Sequence, residues 1–128
     1  MRTDDFVTEP LTTERIGQFC VAMRDPNPVH RDPEFCASIG LPGIIAPGGM
    51  AVVALAHSVV RRVGVGTVRD IDVSMKSPVR AGERLRCVAT EISADGDLVT
   101  FRVTGLGEDG RTCAEGIVTA IRATGAPA

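Results

Sequence analysis

Apolar residues recur at helical spacing in the first half of the chain and at alternate positions in the second half. In residues 11–23, LTTERIGQFCVAM, the positions Ile16, Phe19, Cys20 and Met23 fall three or four apart, predicting a helix with one buried face. Thr12 or Thr13 suits the N-cap and Glu14 the first turn. Pro26 and Pro28 disfavour the α conformation just before them, so this helix stops near Arg24. DPEFCASIG, residues 32–40, predicts a short second helix with Asp32 at the N-cap, Pro33 at the first helical position and Gly40 past the end. LPGIIAPGG is extended. MAVVALAHSVVRRVG, residues 50–64, is apolar nearly all round until Arg61 and Arg62, so the pattern predicts a buried helix.

The second half alternates. Ile71, Val73 and Met75 oppose Asp70, Asp72 and Lys76; Leu85, Cys87 and Ala89 oppose Arg84, Arg86 and Val88; Val99, Phe101 and Val103 share one face of LVTFRVTGL; and RTCAEGIVTAI is the last strand. RAGE, ADGD and EDG supply the turns, with Gly82 turning the first. The expected fold class is α+β, a short N-terminal strand and small helices leading to one apolar helix wrapped by a curled antiparallel sheet, the hot-dog arrangement. A single domain over residues 1–128 is expected, since no linker or repeat divides the chain.

Composition narrows the function. The net charge of −2 and an aromatic content of 3%, with no Trp or Tyr, argue against a nucleic-acid partner. The N-terminal residues are charged, and the longest apolar run is shorter than the roughly 20 residues a bilayer span needs. A cytoplasmic protein with no membrane partner is expected. Cys20, Cys36, Cys87 and Cys113 are widely separated and form no C-x-x-C pair, so structural thiols are expected rather than a metal site or disulfides.

The candidate chemistry lies in RDPNPVHRDPEF, residues 24–35. Asp25 and His30 are five residues apart across a proline-braced loop that can bring both onto one water, while Asn27 suits a loop-pinning role and Asp32 a helix cap. Gly49 opens the apolar helix, where unpartnered N–H groups and the helix dipole favour negative charge. Gly48–Gly49 serves close helix–sheet packing equally well.

This stretch resembles the signature of the MaoC-like hydratases and dehydratases, the (R)-specific enoyl-thioester hydratase family. Asp25, Asn27, Pro28, His30, Asp32 and Pro33 match it position by position, and Gly49–Met50 matches the Gly-Met pair that opens the hot-dog helix. KSPVRAGERLRCVATEI resembles the second block of the family. The resemblance implies hydration and dehydration of acyl thioesters by an Asp25–His30 dyad, with the Gly49 N–H, beside Gly48, meeting the thioester oxygen. It implies no cofactor beyond the coenzyme A or phosphopantetheine that carries the acyl group. Two positions depart from the family. Gly48 stands where a histidine usually precedes the Gly-Met glycine, and His57 stands where a helix serine often orients the aspartate, with Ser58 beside it. His57 is read either as a core histidine or as a supporting residue.

Residues 61–86 gather Arg61, Arg62, Arg69, Lys76, Arg80, Arg84 and Arg86, which either hold carrier phosphates at a tunnel mouth or form a solvated strand face. The family further implies a homodimer, or a heterodimer with a hot-dog paralogue. A non-catalytic partner subunit is the competing reading. A hot-dog thioesterase ranks last, because MAVVALAHSVV has no carboxylate.

Overall fold

The computed structural model describes residues 5–65 and 67–122. The predicted domain span of 1–128 thus includes residues 1–4, 66 and 123–128, which lie outside the described residues. Element order is β1 (Phe6–Val7), α1 (Thr13–Met23), a 3₁₀ turn (Pro28–His30), α2 (Pro33–Ser38), α3 (Gly48–Val63), β2 (Val68–Met75), β3 (Arg86–Asp95), β4 (Leu98–Leu106) and β5 (Thr112–Ile121). The five strands form one antiparallel sheet in the order β1-β3-β4-β5-β2. The β3-β4-β5 meander follows from the two turns between them, whereas β2 crosses over to pair with β5.

The helix ends match local chemistry. Thr12, not Thr13, caps α1 by accepting from the Arg15 N–H at 3.1 Å, and Asp32 caps α2 by accepting from Glu34 and Phe35. The core joins Ala51, Ala54, Leu55, Val59 and Val63 of α3 to Cys87, Val99, Phe101, Val103, Cys113 and Val118 of the sheet. Gly116 lets β5 approach β2, because Asp72 and Val73 backbone atoms fill the space a Cβ would take.

Burial corrects three expectations. α3 is covered on one side only: Gly49, Val53, His57 and Arg61, at four-residue spacing, form an exposed line, with Val53 61% exposed. One five-stranded sheet reaches round only half of a helix. On α1, Ile16 is buried and Phe19 and Cys20 are half-buried, but Met23 is exposed, since the last turn runs past the core. Ile71 and Met75 are 41% and 42% exposed, because β2 is an edge strand.

An ionic clamp ties the loops at one end. The Arg111 guanidinium donates from Nη1 and Nη2 to the two Glu83 carboxylate oxygens at 2.9 and 2.7 Å, and from Nη2 to the Pro78 carbonyl at 2.7 Å. Glu83 also accepts the Arg80 and Glu108 N–H groups. The hydrogen bonds from Arg111 hold the Glu83 carboxyl below the usual carboxylate range. The clamped segment in turn pairs with residues 44–46: Ala46 N–H donates to Val79, Ala81 N–H to Ile44, and Ile45 bridges Arg80.

Candidate active site

The loop after α1 is built to aim Asp25. Arg24 ends the helix in the left-handed conformation, φ 54° and ψ 44°, and the Asp25 N–H turns back to the Cys20 carbonyl at 2.9 Å. The Asn27 N–H donates to Asp25 Oδ1 at 3.0 Å, and Asn27 Oδ1 accepts from the Val29 N–H at 3.2 Å. Asn27 therefore braces the loop with both backbone and side chain, leaving Asp25 Oδ2 for other work. The 3₁₀ turn then carries His30 inward until its side chain is 9% exposed.

His30 is oriented by its other neighbour. Its Nδ1 lies 2.7 Å from the Ile45 carbonyl oxygen, which can only accept, so Nδ1 bears the proton. In the neutral ring Nε2 then presents a lone pair, 3.5 Å from Asp25 Oδ2. That separation is long for a charge-assisted hydrogen bond, and a shared water can serve both groups.

His30 sits where two clefts meet, with Asp25 in the first of them. One, of about 420 Å³, is lined by Cys20, Val21, Arg24, Asp25, His30 and Arg31 among others. The second, of about 330 Å³, also contains His30 and adds Ile45, Gly48, Met75, Lys76 and Ser77. Gly48 begins α3 within this second cleft, after Pro47, which supplies no side-chain cap. A Cβ on Gly48 would stand 3.2 Å from Met75 Cγ, and one on Gly49 would stand 3.0 Å from Phe19 Cζ. The two glycines thus make room for different side chains, and it is Gly48 that faces the His30 cleft.

The two remaining candidates lie elsewhere. His57 is on the exposed line of α3, its ring edge-on to Phe6 at 4.7 Å, with Arg61 stacked over Phe6 at 5.5 Å. No hydrogen bond or ion pair joins His57 to Asp25 among the described residues. Ser58 is buried and donates its hydroxyl to the Leu55 carbonyl at 2.6 Å, within its own helix. Both depart from the role that alignment with the family's serine implied, because the helix turns residue 57 outward and residue 58 into the core.

The cations of residues 61–86 are largely engaged: Arg62 donates to the Ala89 carbonyl, Lys76 meets Glu115, Arg84 meets Glu9 and Arg86 meets Asp5. Arg84 and Arg86 belong to an ion-paired surface, Arg62 anchors α3 to β3, and Lys76 also lines the second cleft with His30. Sequence reasoning passed over Arg24 and Arg31, which line the dyad's cleft; their adjacency to Asp25 and His30 was the available signal. The four thiols are free. Burial pushes Cys87 up to about 12. Cys20, half-buried beside the dyad, is raised by burial first and then by the Asp25 charge, with Arg31 opposing. Among the described residues no group of His, Cys, Asp or Glu is arranged to hold a metal ion, and no helix is long and apolar enough to cross a membrane.

Comparison with known proteins agrees with this architecture. The chain is similar to the (R)-hydratase from A. caviae involved in PHA biosynthesis, with a TM-score of 0.82 at 18% identity, covering 93% of this chain and 92% of that one. It is similar to a chain of the ChsH1–ChsH2 complex from Mycobacterium tuberculosis, with a TM-score of 0.84 at 17% identity and 93% of each chain covered. At these identities the structural likeness shows a shared fold alone. A UPF0336 protein of Saccharopolyspora erythraea is 32% identical over 102 residues, or 70% of this chain; the match spans 65% of that relative's length. The model of the MaoC-like domain matches residues 2–105, which include the Asp25–His30 loop and the start of α3. A hot-dog sheet around one helix, with the matched loop at its mouth, is thus what the sequence folds into, and the chain belongs to the MaoC-like domain family.

Proposed function

We propose that this protein interconverts trans-2-enoyl and (R)-3-hydroxyacyl thioesters, carried on coenzyme A or on the phosphopantetheine of a carrier protein. The observation that carries the reading is the Asp25 Oδ2–His30 Nε2 pair, 3.5 Å apart in one cleft, with His30 also lining a second cleft that reaches Gly48 at the start of α3. In hydration, a water held between the two groups loses a proton to the dyad as its oxygen bonds to C3. The electron pair of the double bond moves toward the thioester, and a proton from the dyad reaches C2. Negative charge on the thioester oxygen is met by the N–H groups of Gly48 and Gly49, which have no partner within the helix. Dehydration is the same path reversed. The chemistry is proton transfer and charge stabilisation by the chain's own groups, so no further cofactor is required.

The active form in this reading is a dimer, homomeric or with a hot-dog paralogue, because the β2 edge and the Val53–His57 line of α3 are both uncovered. A second reading, a non-catalytic subunit beside an active paralogue, is favoured by His57 turning to Phe6 instead of the dyad.

Loss of enoyl absorbance on mixing crotonyl-coenzyme A with purified protein separates the two. Asp25→Asn and His30→Ala are each expected to lower turnover by roughly 10²–10⁴-fold while the protein stays folded. Either variant within threefold of the wild type would refute the dyad and favour the partner-subunit reading.

A further inference from the structure

Two cations beside the dyad have no use in the chemistry above. Arg24 and Arg31 wall the cleft that contains Asp25 and His30, and both side chains are exposed. Among the described residues neither guanidinium has an ion-pair or hydrogen-bond partner. The contrast is with Arg84, Arg86 and Arg111, each of which meets a carboxylate.

Arg24 carries a second sign. It is the one non-glycine residue at positive φ among the described residues, in a helix-ending position that glycine or asparagine usually takes. A larger side chain there is held against its backbone preference, and such positions cluster where a side chain has work to do. Its side chain faces the substrate cleft.

We propose that Arg24 and Arg31 clamp a phosphate of the thioester's carrier arm at the mouth of this cleft. The inference rests on the enoyl-thioester reading. An arginine fork matches phosphate oxygens, and Cys20 and Val21 offer an apolar wall to the uncharged stem of the arm. Phosphate fits better than a carboxylate at the acyl end. Both guanidiniums stand in solvent, where the arm enters, and an acyl carboxylate would lie next to the Asp25 charge. The phosphate is either the phosphodiester shared by all such arms or one of the nucleotide phosphates of coenzyme A.

Steady-state kinetics on crotonyl thioesters of N-acetylcysteamine, 4′-phosphopantetheine and coenzyme A tests the clamp. Arg24→Gly suits the left-handed backbone and is expected to fold with an unlowered thermal midpoint; Arg31→Gln is the second variant. Each is expected to raise KM for phosphate-bearing substrates about tenfold or more, with kcat little changed. The N-acetylcysteamine thioester should remain within twofold of wild type. Loss on both phosphate-bearing thioesters assigns the clamp to the shared phosphodiester; loss on coenzyme A alone assigns it to the nucleotide. Equal loss on the phosphate-free thioester would overturn the clamp, making the arginines positioning residues for the dyad. So would a KM effect seen in Arg80→Gln but in neither clamp variant.

Calorimetric affinity for saturated butyryl-coenzyme A needs no turnover and keeps the two proposals apart. A wild-type protein that hydrates none of the thioesters defeats the enzymatic reading, yet weaker and less salt-sensitive butyryl-coenzyme A binding in Arg24→Gly would still support the clamp. Unchanged affinity in both variants would overturn it.

Discussion

At the residue scale, the site depends on which atoms are already committed. Asp25 Oδ1 is taken by Asn27 and His30 Nδ1 by Ile45, so each group of the dyad keeps one atom for the other. Asn27→Ala removes one brace but leaves its backbone donor, so a partial loss of turnover is expected, smaller than that of Asp25→Asn and measurable with the same absorbance assay. His57 makes the opposite case. Its ring packs on Phe6, a contact worth about 0.5–1.5 kcal/mol. His57→Ser is expected to lower the thermal midpoint modestly and to leave the shape of the pH–rate profile unaltered. A lost limb in that profile would restore the supporting role that alignment with the family's serine implied.

At the element scale, the loops are held by charge and the strands by close approach. The Glu83–Arg111 clamp secures residues 78–81, which pair with Ile44–Ala46 and so set the carbonyl that orients His30. Glu83→Gln is expected to cost up to about 3 kcal/mol, because half-buried Arg111 then keeps only the exposed Asp109 carboxylate, 2.7 Å from Nη1, as a charge partner. The pH dependence has a definite sign. The folded carboxyl sits below its ordinary value, so its contribution is fully present above about 4.3 and is lost as pH falls through the folded value. Denaturant midpoints taken from pH 7 down to pH 3 should converge between wild type and Glu83→Gln. In the sheet, Gly116→Ala would drive a methyl into the backbone of β2. Separation of β2 from β5, read as lost amide protection in hydrogen exchange along Val68–Met75, is the expected outcome.

At the scale of the whole molecule, one sheet around α3 leaves an open strand edge and an exposed helix line among the described residues. Val53, Ile71 and Met75 are each more than two-fifths exposed. Surfaces of this kind mark contact sites, and an open strand edge invites pairing. A dimer is expected by light scattering at micromolar concentration. Val53→Asp is expected to shift it toward monomer, whereas a wild-type monomer that is fully active would show that the uncovered line has another use.

How much of this was legible in the chain follows from the range of the forces involved. Helix caps at Thr12 and Asp32, the proline stop before Asp25 and the alternation of the meander are local effects, decided within a few residues, and they stand in the sequence. The Asp25–His30 loop was legible for the same reason, since five residues and two prolines limit where its side chains can go. Which side of α3 is covered was not legible. An apolar helix reads as buried all round, and only the span of the sheet decides that Ser58 turns inward and His57 outward. The same holds for the cations. Charges at 61–86 looked like a phosphate site by number alone, but folding brings many of them to carboxylates and carbonyls and leaves Arg24 and Arg31 unpaired in the cleft. Composition counts charges; pairing is a matter of distance, and distance between residues far apart in the chain exists only once the sheet has closed on the helix.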